Sequence, residues 1–174
     1  PRSCEIHGIK TFNGAKADDV ILKTASVIIN TKSPLASVFD DVIIGKQAIL
    51  PEVDDIVYED RLGTTGWIYR KKILVGTRDL LIHHGVPVLK EDFEKKYTRK
   101  GRKVLYLAEA GKLMAMFVVS YSADPQLKKA LRKLEKSGMT ILVRSADPFI
   151  NDESIAELFE LPDGYIRVMN SSNR

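Results

Sequence analysis

VVSYSADPQLKKALRKLEKSGMTILVRSADP, residues 118–148, is the stretch whose reading decides the fold. It reads as strand, helix, strand and the start of a second helix. Asp124 is a good N-cap, and Pro125 takes the first helical position, where its missing N–H costs nothing. Leu127, Ala130, Leu131 and Leu134 recur at i, i+3, i+4 and i+7, a single apolar stripe. Lys128, Lys129, Arg132, Lys133 and Lys136 fill the other side, and Gly138 ends the helix as a C′ residue would. Met139 to Val143 is a short apolar run of buried-strand type, and Asp147-Pro148 repeats the Asp-Pro opening. A parallel β-α-β unit is expected, its second strand ending at Ser145-Ala146-Asp147. In open α/β sheets ligands bind at the carboxyl ends of strands.

Upstream, residues 55–119 read as antiparallel sheet. Asp55 to Arg61 is one strand, Gly63-Thr64-Thr65-Gly66 a tight turn, and Trp67–Arg70 and Lys72–Val75 two more strands around a basic bend. Gly76-Thr77 opens a helix closed by Gly85. Phe93 to Lys100 is charged and helical in character, and Val104–Ala108 and Lys112–Val119 form a hairpin around Glu109-Ala110-Gly111. Near the start, Lys16 to Leu22 suggests a short helix, and the β-branched run Val27-Ile28-Ile29 a buried strand ending at Asn30. Beyond Asp147, Ile150, Ile155, Leu158 and Phe159 make an amphipathic helix, and Tyr165–Met169 a last strand.

The bulk numbers agree with a globular chain. Its 174 residues are 44% hydrophobic and 29% charged, with a net charge of +4. Basic residues cluster on helix 125–137 and around Lys95–Lys103, without interleaved stacking aromatics, so a solvated face is favoured over a nucleic-acid surface. The single cysteine, Cys4, excludes a disulfide frame and a thiolate metal cluster and suggests a reducing compartment. No run approaches the ~18 apolar residues of a membrane span. A chain opening on Pro1 and closing on a polar tail suggests a soluble piece of something longer.

In order and spacing, several short motifs resemble the cytoplasmic nucleotide-binding and phosphorylation region of P-type cation-transporting ATPases, heavy-metal branch. Ile73-Leu74-Val75-Gly76-Thr77-Arg78 is similar to the family's VLVGNR. Gly101–Gly111 is similar to GKTVVYVAVDG, and Ala123-Asp124-Pro125 through Gly138 to ADPLRPDAREAIRALRALG. Ser145-Ala146-Asp147-Pro148 stands where the family has Thr-Gly-Asp-Asn. His7-Gly8-Ile9 through Asn30 resembles the approach to the phosphorylated aspartate. The resemblance covers most of residues 7–161.

It implies an α/β fold: a Rossmann-like, haloacid-dehalogenase-like partial phosphorylation domain (1–34 and 118–174) with an inserted antiparallel α+β nucleotide-binding-type domain (35–117). It also implies a departure from the family's chemistry. Asn30 falls at the phospho-acceptor position, and an amide is not a carboxylate nucleophile. Lys32 is the nearest cation, while Ser145 keeps a hydroxyl and Asp147 is retained. The downstream carboxylate loop has no counterpart, so Mg²⁺ has few ligands.

In the nucleotide pocket, Lys32-Ser33-Pro34-Leu35 is the nearest counterpart of Ser-Glu-His-Pro-Leu, with Ser33 in the histidine place. The same residues compete for the phosphorylation-loop alignment. Arg61-Leu62-Gly63-Thr64-Thr65-Gly66 keeps the last two glycines of Gly-x-Gly-x-x-Gly, whose close backbone approach suits a nucleotide; a plain hairpin turn is favoured on residues alone. The expected protein is therefore the cytoplasmic head of a P-type ATPase-like integral membrane protein. It would be catalytically degenerate and form no acyl-phosphate, bind ATP weakly or not at all at Ser33, Gly63 and Gly66, and act in regulation or interaction with the rest of its parent. Alternatives are a piece of an active cation-transporting ATPase, or a soluble haloacid-dehalogenase-type phosphatase, against which Asn30 counts. His83-His84, adjacent on a helix and without an acidic neighbour in sequence, is expected to serve a helix end and not a metal.

Overall fold

A computed structural model describes residues 3–31, 33–46 and 49–170. Six strands form one antiparallel sheet: β1 (Cys4–Thr11), β2 (Asp54–Glu59), β3 (Gly63–Ile68), β4 (Lys71–Gly76), β5 (Lys103–Glu109) and β6 (Lys112–Tyr121). Their spatial order is β1-β6-β5-β4-β3-β2. Side chains alternate across a strand, so β6 feeds two cores. Ala115, Phe117 and Val119 face α1 (Ala17–Ile28) and α2 (Pro34–Val42). Met116 faces α3 (Arg78–His83) and the segment around α4 (Glu91–Lys95). Phe39 of α2 meets Phe117 edge to face, with centroids 5.1 Å apart.

The C-terminal residues form a smaller unit. β7 (Ile141–Ser145) and β8 (Ile166–Asn170) pair in parallel, joined by α6 (Asp152–Phe159) and preceded by α5 (Pro125–Lys136). Ile155, Phe159, Leu161 and Ile166 make its core.

Helix α5 keeps the expected caps: Asp124 accepts the Gln126 N–H at 3.0 Å, and Gly138 has φ +82°. No residue of α5 is fully buried. Its first turn therefore leans on the cap, and Asp124→Ala should cost about 1 kcal/mol. Hydrogen exchange at Gln126 and Lys128 should speed up correspondingly; unchanged exchange would mean that packing alone holds the helix.

Four expectations are corrected. The parallel partner of β7 is β8, not β6, which lies in the antiparallel sheet, so the β-α-β unit is β7-α6-β8. Val27-Ile28 is helical. Val20, Thr24, Val27 and Ile28, at i, i+4, i+7 and i+8, are all buried in α1, and burial of that stripe outweighs β-branched propensity. No strand therefore links residues 27–30 to residues 139–143. Gly63–Gly66 is strand, and the turn is Asp60-Arg61-Leu62. Asp147-Pro148 does not open α6. Asn151 does, through a capping box with Ser154.

Strand β1 had no recognised signal in the sequence. It pairs Cys4↔Tyr121 through Thr11↔Ala115 with β6. Residues 4–28 thus share the sheet and core of residues 35–117, and the boundary expected after residue 34 falls in the first turn of α2. Trp67 of β3 is 40% exposed.

Candidate functional site

The residues singled out by the sequence do not converge on one strand end as expected. Asn30 follows the C-cap of α1 and is exposed, at no strand end. The reason for reading it as an eroded phospho-acceptor goes with the strand. Lys32 lies outside the described residues. Ser33 is the N-cap of α2: its Oγ accepts the Ala36 N–H at 3.3 Å and lies 3.2 Å from Thr31 Oγ1. Capping satisfies one of the free N–H groups at the helix start.

Gly63 and Gly66 serve packing. Gly63 pairs with Gly76 across β3 and β4, with φ +145°. A Cβ on Gly63 would meet Val75 O at 2.4 Å and Gly76 Cα at 2.6 Å, and one on Gly66 would meet Val53 Cγ1 at 2.6 Å. The space that a ligand would need against these glycines is filled by the protein's own backbone and by Val53. Thr77 follows directly. It caps α3, accepting from Leu80 N at 3.3 Å and donating to Leu62 O at 3.2 Å. Its cap role was legible in the sequence, but its place beside Gly63 was not. A cleft of about 460 Å³ opens there, lined by Thr77, Arg78, Glu91, Glu94 and Phe149 among others.

Phe149 directly follows the segment that the sequence marked as Ser145-Ala146-Asp147-Pro148. Asp147 is fully buried. Tyr121 OH donates to its Oδ2 at 2.7 Å and Phe149 N–H to its Oδ1 at 2.8 Å, while its own N–H donates to Ser145 Oγ at 3.1 Å. Burial pushes the carboxyl up to about 6, against the pull of those two donors. Burial raises the Tyr121 phenol well above its ordinary value, and the Cys4 thiol and Tyr58 phenol to about 12; the Asp147 charge adds to all three. Asp147 thus joins the C-terminal unit to the end of β6 through Tyr121. It does not face an open phosphate position. Ser145 and Pro34 line a second cavity, apolar, of about 260 Å³. Arg61, where the family has its first glycine, pairs instead with Glu153 of α6 at 3.3 Å. Nothing in the sequence signalled Tyr121 as the partner of Asp147, since the two meet only in the tertiary structure.

His84 Nε2 lies 2.5 Å from Glu59 Oε2, and His83 Nε2 lies 3.8 Å from Glu59 Oε1, so the two histidines converge on an acid remote in sequence. Among the described residues no group of three or more His, Cys, Asp or Glu could hold a metal ion. No described helix is long and apolar enough to cross a membrane.

No family model matches the chain. Copper-transporting ATPase 2 of Rhizobium meliloti (strain 1021) is 24% identical over 153 residues, which is 87% of this chain and 18% of that protein. The chain thus spans less than a fifth of this relative. The crystal structure of the N-domain of HMA6, a copper-transporting P-type ATPase, superposes with a TM-score of 0.57 at 16% identity, covering 68% of this chain and 99% of that one. A zinc-transporting PIB-type ATPase in the E2.Pi state superposes with a TM-score of 0.58 at 12% identity, covering 95% of this chain and 26% of that one. The chain resembles the nucleotide-binding region of heavy-metal P-type ATPases in sequence and in fold, as its motifs suggested.

Proposed function

We propose that this chain is the nucleotide-binding region of the cytoplasmic head of a heavy-metal P-type ATPase-like membrane protein, and that it holds ATP weakly. The resemblance of both sequence and fold supports the first part. The filled backbone at Gly63, Gly66 and Gly76 supports the second, because the close approach those glycines would offer a nucleotide is already taken. Ser33 in the histidine place and Arg61 in the glycine place each remove a contact, at about 1–2 kcal/mol apiece. Since 1.4 kcal/mol is about a factor of ten, binding in the millimolar range is expected.

One observation favours a head that belongs to a larger catalytic assembly. Leu127 and Leu134 of α5 and Leu142 of β7 are 48%, 40% and 67% exposed. Parallel sheets are normally covered on both faces and are seldom only two strands wide. We read β7-α6-β8 with α5 as part of a Rossmann-like phosphorylation-type domain, completed by further chain, and residues 4–121 as the nucleotide-binding-type unit. The N-domain that covers 68% of the chain and the whole zinc ATPase that covers 95% are consistent with this division. A soluble phosphatase loses support, because the helix over residues 17–28 removes the strand on which its nucleophile was placed.

Titrating ATP with Mg²⁺ into the ¹⁵N-labelled chain tests the reading. Millimolar binding with shifts around Ser33, Leu62–Gly63 and Thr77 is the expected result. Submicromolar affinity would overturn the weak site, and no shift there at saturating ATP would overturn the nucleotide reading itself.

A further inference from the structure

The cationic segment around Lys95–Lys103 has no part in that reading, and the structure gives it a concave setting. A cleft of about 530 Å³ lies between β1, β6 and residues 96–102. Lys10, Lys96, Arg99, Lys100 and Arg102 line it, with His7 at one side and no aspartate or glutamate. Among the described residues none of these five cations has an ion-pair partner. Glu91 and Glu94 line the neighbouring cleft, which shares Arg102.

The cations are gathered by specific structure. The ammonium groups of Lys10 and Lys96 lie 5.4 and 5.5 Å from the centroid of a single ring, Phe93. Lys100 and Gly101 have φ +60° and +75°, and this turn brings Arg99, Lys100 and Arg102 to one cleft. Strand β1 has a register shift between Ile6 and Gly8, and nothing lies within 4 Å of where a Gly8 Cβ would stand. Below the charges, Met116 and Val118 supply an apolar floor and Tyr97 an aromatic ring.

Five like charges collected without an ion pair among the described residues repel one another, and an anion carrying several charges relieves that repulsion. The volume falls within the usual range for small-molecule sites, about 300–1,000 Å³. We propose that this cleft binds a small organic polyphosphate, its phosphates on Lys10, Lys96, Arg99, Lys100 and Arg102 and its ring or carbon skeleton against Tyr97, Met116 and Val118. A single-stranded nucleic acid calls for a charged track with several stacking aromatics, and Tyr97 is the one aromatic residue lining this cleft among those described. The site is separate from the nucleotide position, since β6, β5 and β4 stand between β1 and β3 in the sheet.

The test is a titration of the ¹⁵N-labelled 174-residue chain with inorganic tripolyphosphate, ATP and adenosine at several salt concentrations. Tripolyphosphate and ATP should shift the amides of Gly8–Lys10 and Tyr97–Arg102, adenosine should not, and the affinity should fall steeply with salt. Arg99 and Lys100 are exposed, so Arg99→Glu with Lys100→Glu should leave the fold intact. This double variant should weaken tripolyphosphate by about tenfold or more, while any ATP shifts around Ser33 and Thr77 persist. Absence of shifts at residues 8–10 and 97–102 would overturn the site. Tighter binding there by a single-stranded oligonucleotide or an acidic peptide than by tripolyphosphate would overturn the assigned ligand class.

Discussion

Gly63→Ala should lower the unfolding free energy by about 4 kcal/mol. Two costs add. The backbone at Gly63 has φ +145°, a region that side chains rarely adopt. The new methyl would also stand 2.4 Å from Val75 O and 2.6 Å from Gly76 Cα. Both obstacles are backbone in a paired strand and cannot turn aside. Gly66 differs, because its obstacle is the side chain of Val53 at 2.6 Å, with Asp54 O at an ordinary 3.5 Å. Gly66→Ala should therefore be milder, and Val53→Ala should relieve part of its cost. Urea unfolding at a constant m-value measures both. If Gly63→Ala unfolded at the wild-type midpoint and lost only ATP binding, the glycine would be a ligand contact and the packing account would fail.

Asp147→Asn should change how stability depends on pH. The Asp147 carboxyl is raised from 3.8 to about 6 in the folded protein, chiefly by burial. The folded state thus holds the proton more tightly than the unfolded chain. The contribution of this group is fully present below about 3.8 and is lost as the pH rises through about 6. At about 1.4 kcal/mol per pKa unit, the loss is about 3 kcal/mol. An asparagine keeps a carbonyl for the Phe149 N–H and carries no charge. Stability curves of the two proteins should diverge by about that amount between about pH 3.5 and pH 7, in favour of the variant at neutral pH. Parallel curves would mean that Asp147 is solvated in the folded state, and that Tyr121 and Phe149 do not enclose it.

Much of the fold was legible where the signal is local. Helix α5 is marked at both ends, by Asp124-Pro125 and by Gly138. The β5–β6 hairpin is marked by Ala110 and Gly111, whose φ values are +50° and +81° in the turn. Helix α3 opens on Thr77 and is followed by Gly85. Each of these signals sits within a few residues of what it determines. The candidate site was legible only as a set of motifs. Gly63 and Gly66 were read as a turn because glycine most often marks one, and the same residue type also lets two strands approach closely. Whether a glycine does one or the other depends on Gly76 and Val53, which the local sequence does not bring near.

The sequence by itself determined the helices with marked ends, the β5–β6 hairpin, the apolar runs and the likeness to heavy-metal ATPase heads. Only the tertiary structure decided which strands pair. Val118–Tyr121 and Ile141–Ser145 are both apolar runs with a helix between them, and that pattern suits one parallel sheet. The free energy of pairing lies instead in partners far along the chain: β1 and β5 for β6, and β8 for β7. The same holds for Val27-Ile28, whose β-branched side chains favour strand locally but are buried against the sheet as the last turn of α1. It holds again for Asp147, a plausible phosphate-site residue in its motif, which Tyr121 and Phe149 enclose in the interior. Local propensities are worth tenths of a kilocalorie per residue, whereas burial of a large side chain is worth about 1.5–3 kcal/mol, so the distant contacts prevail wherever the two disagree.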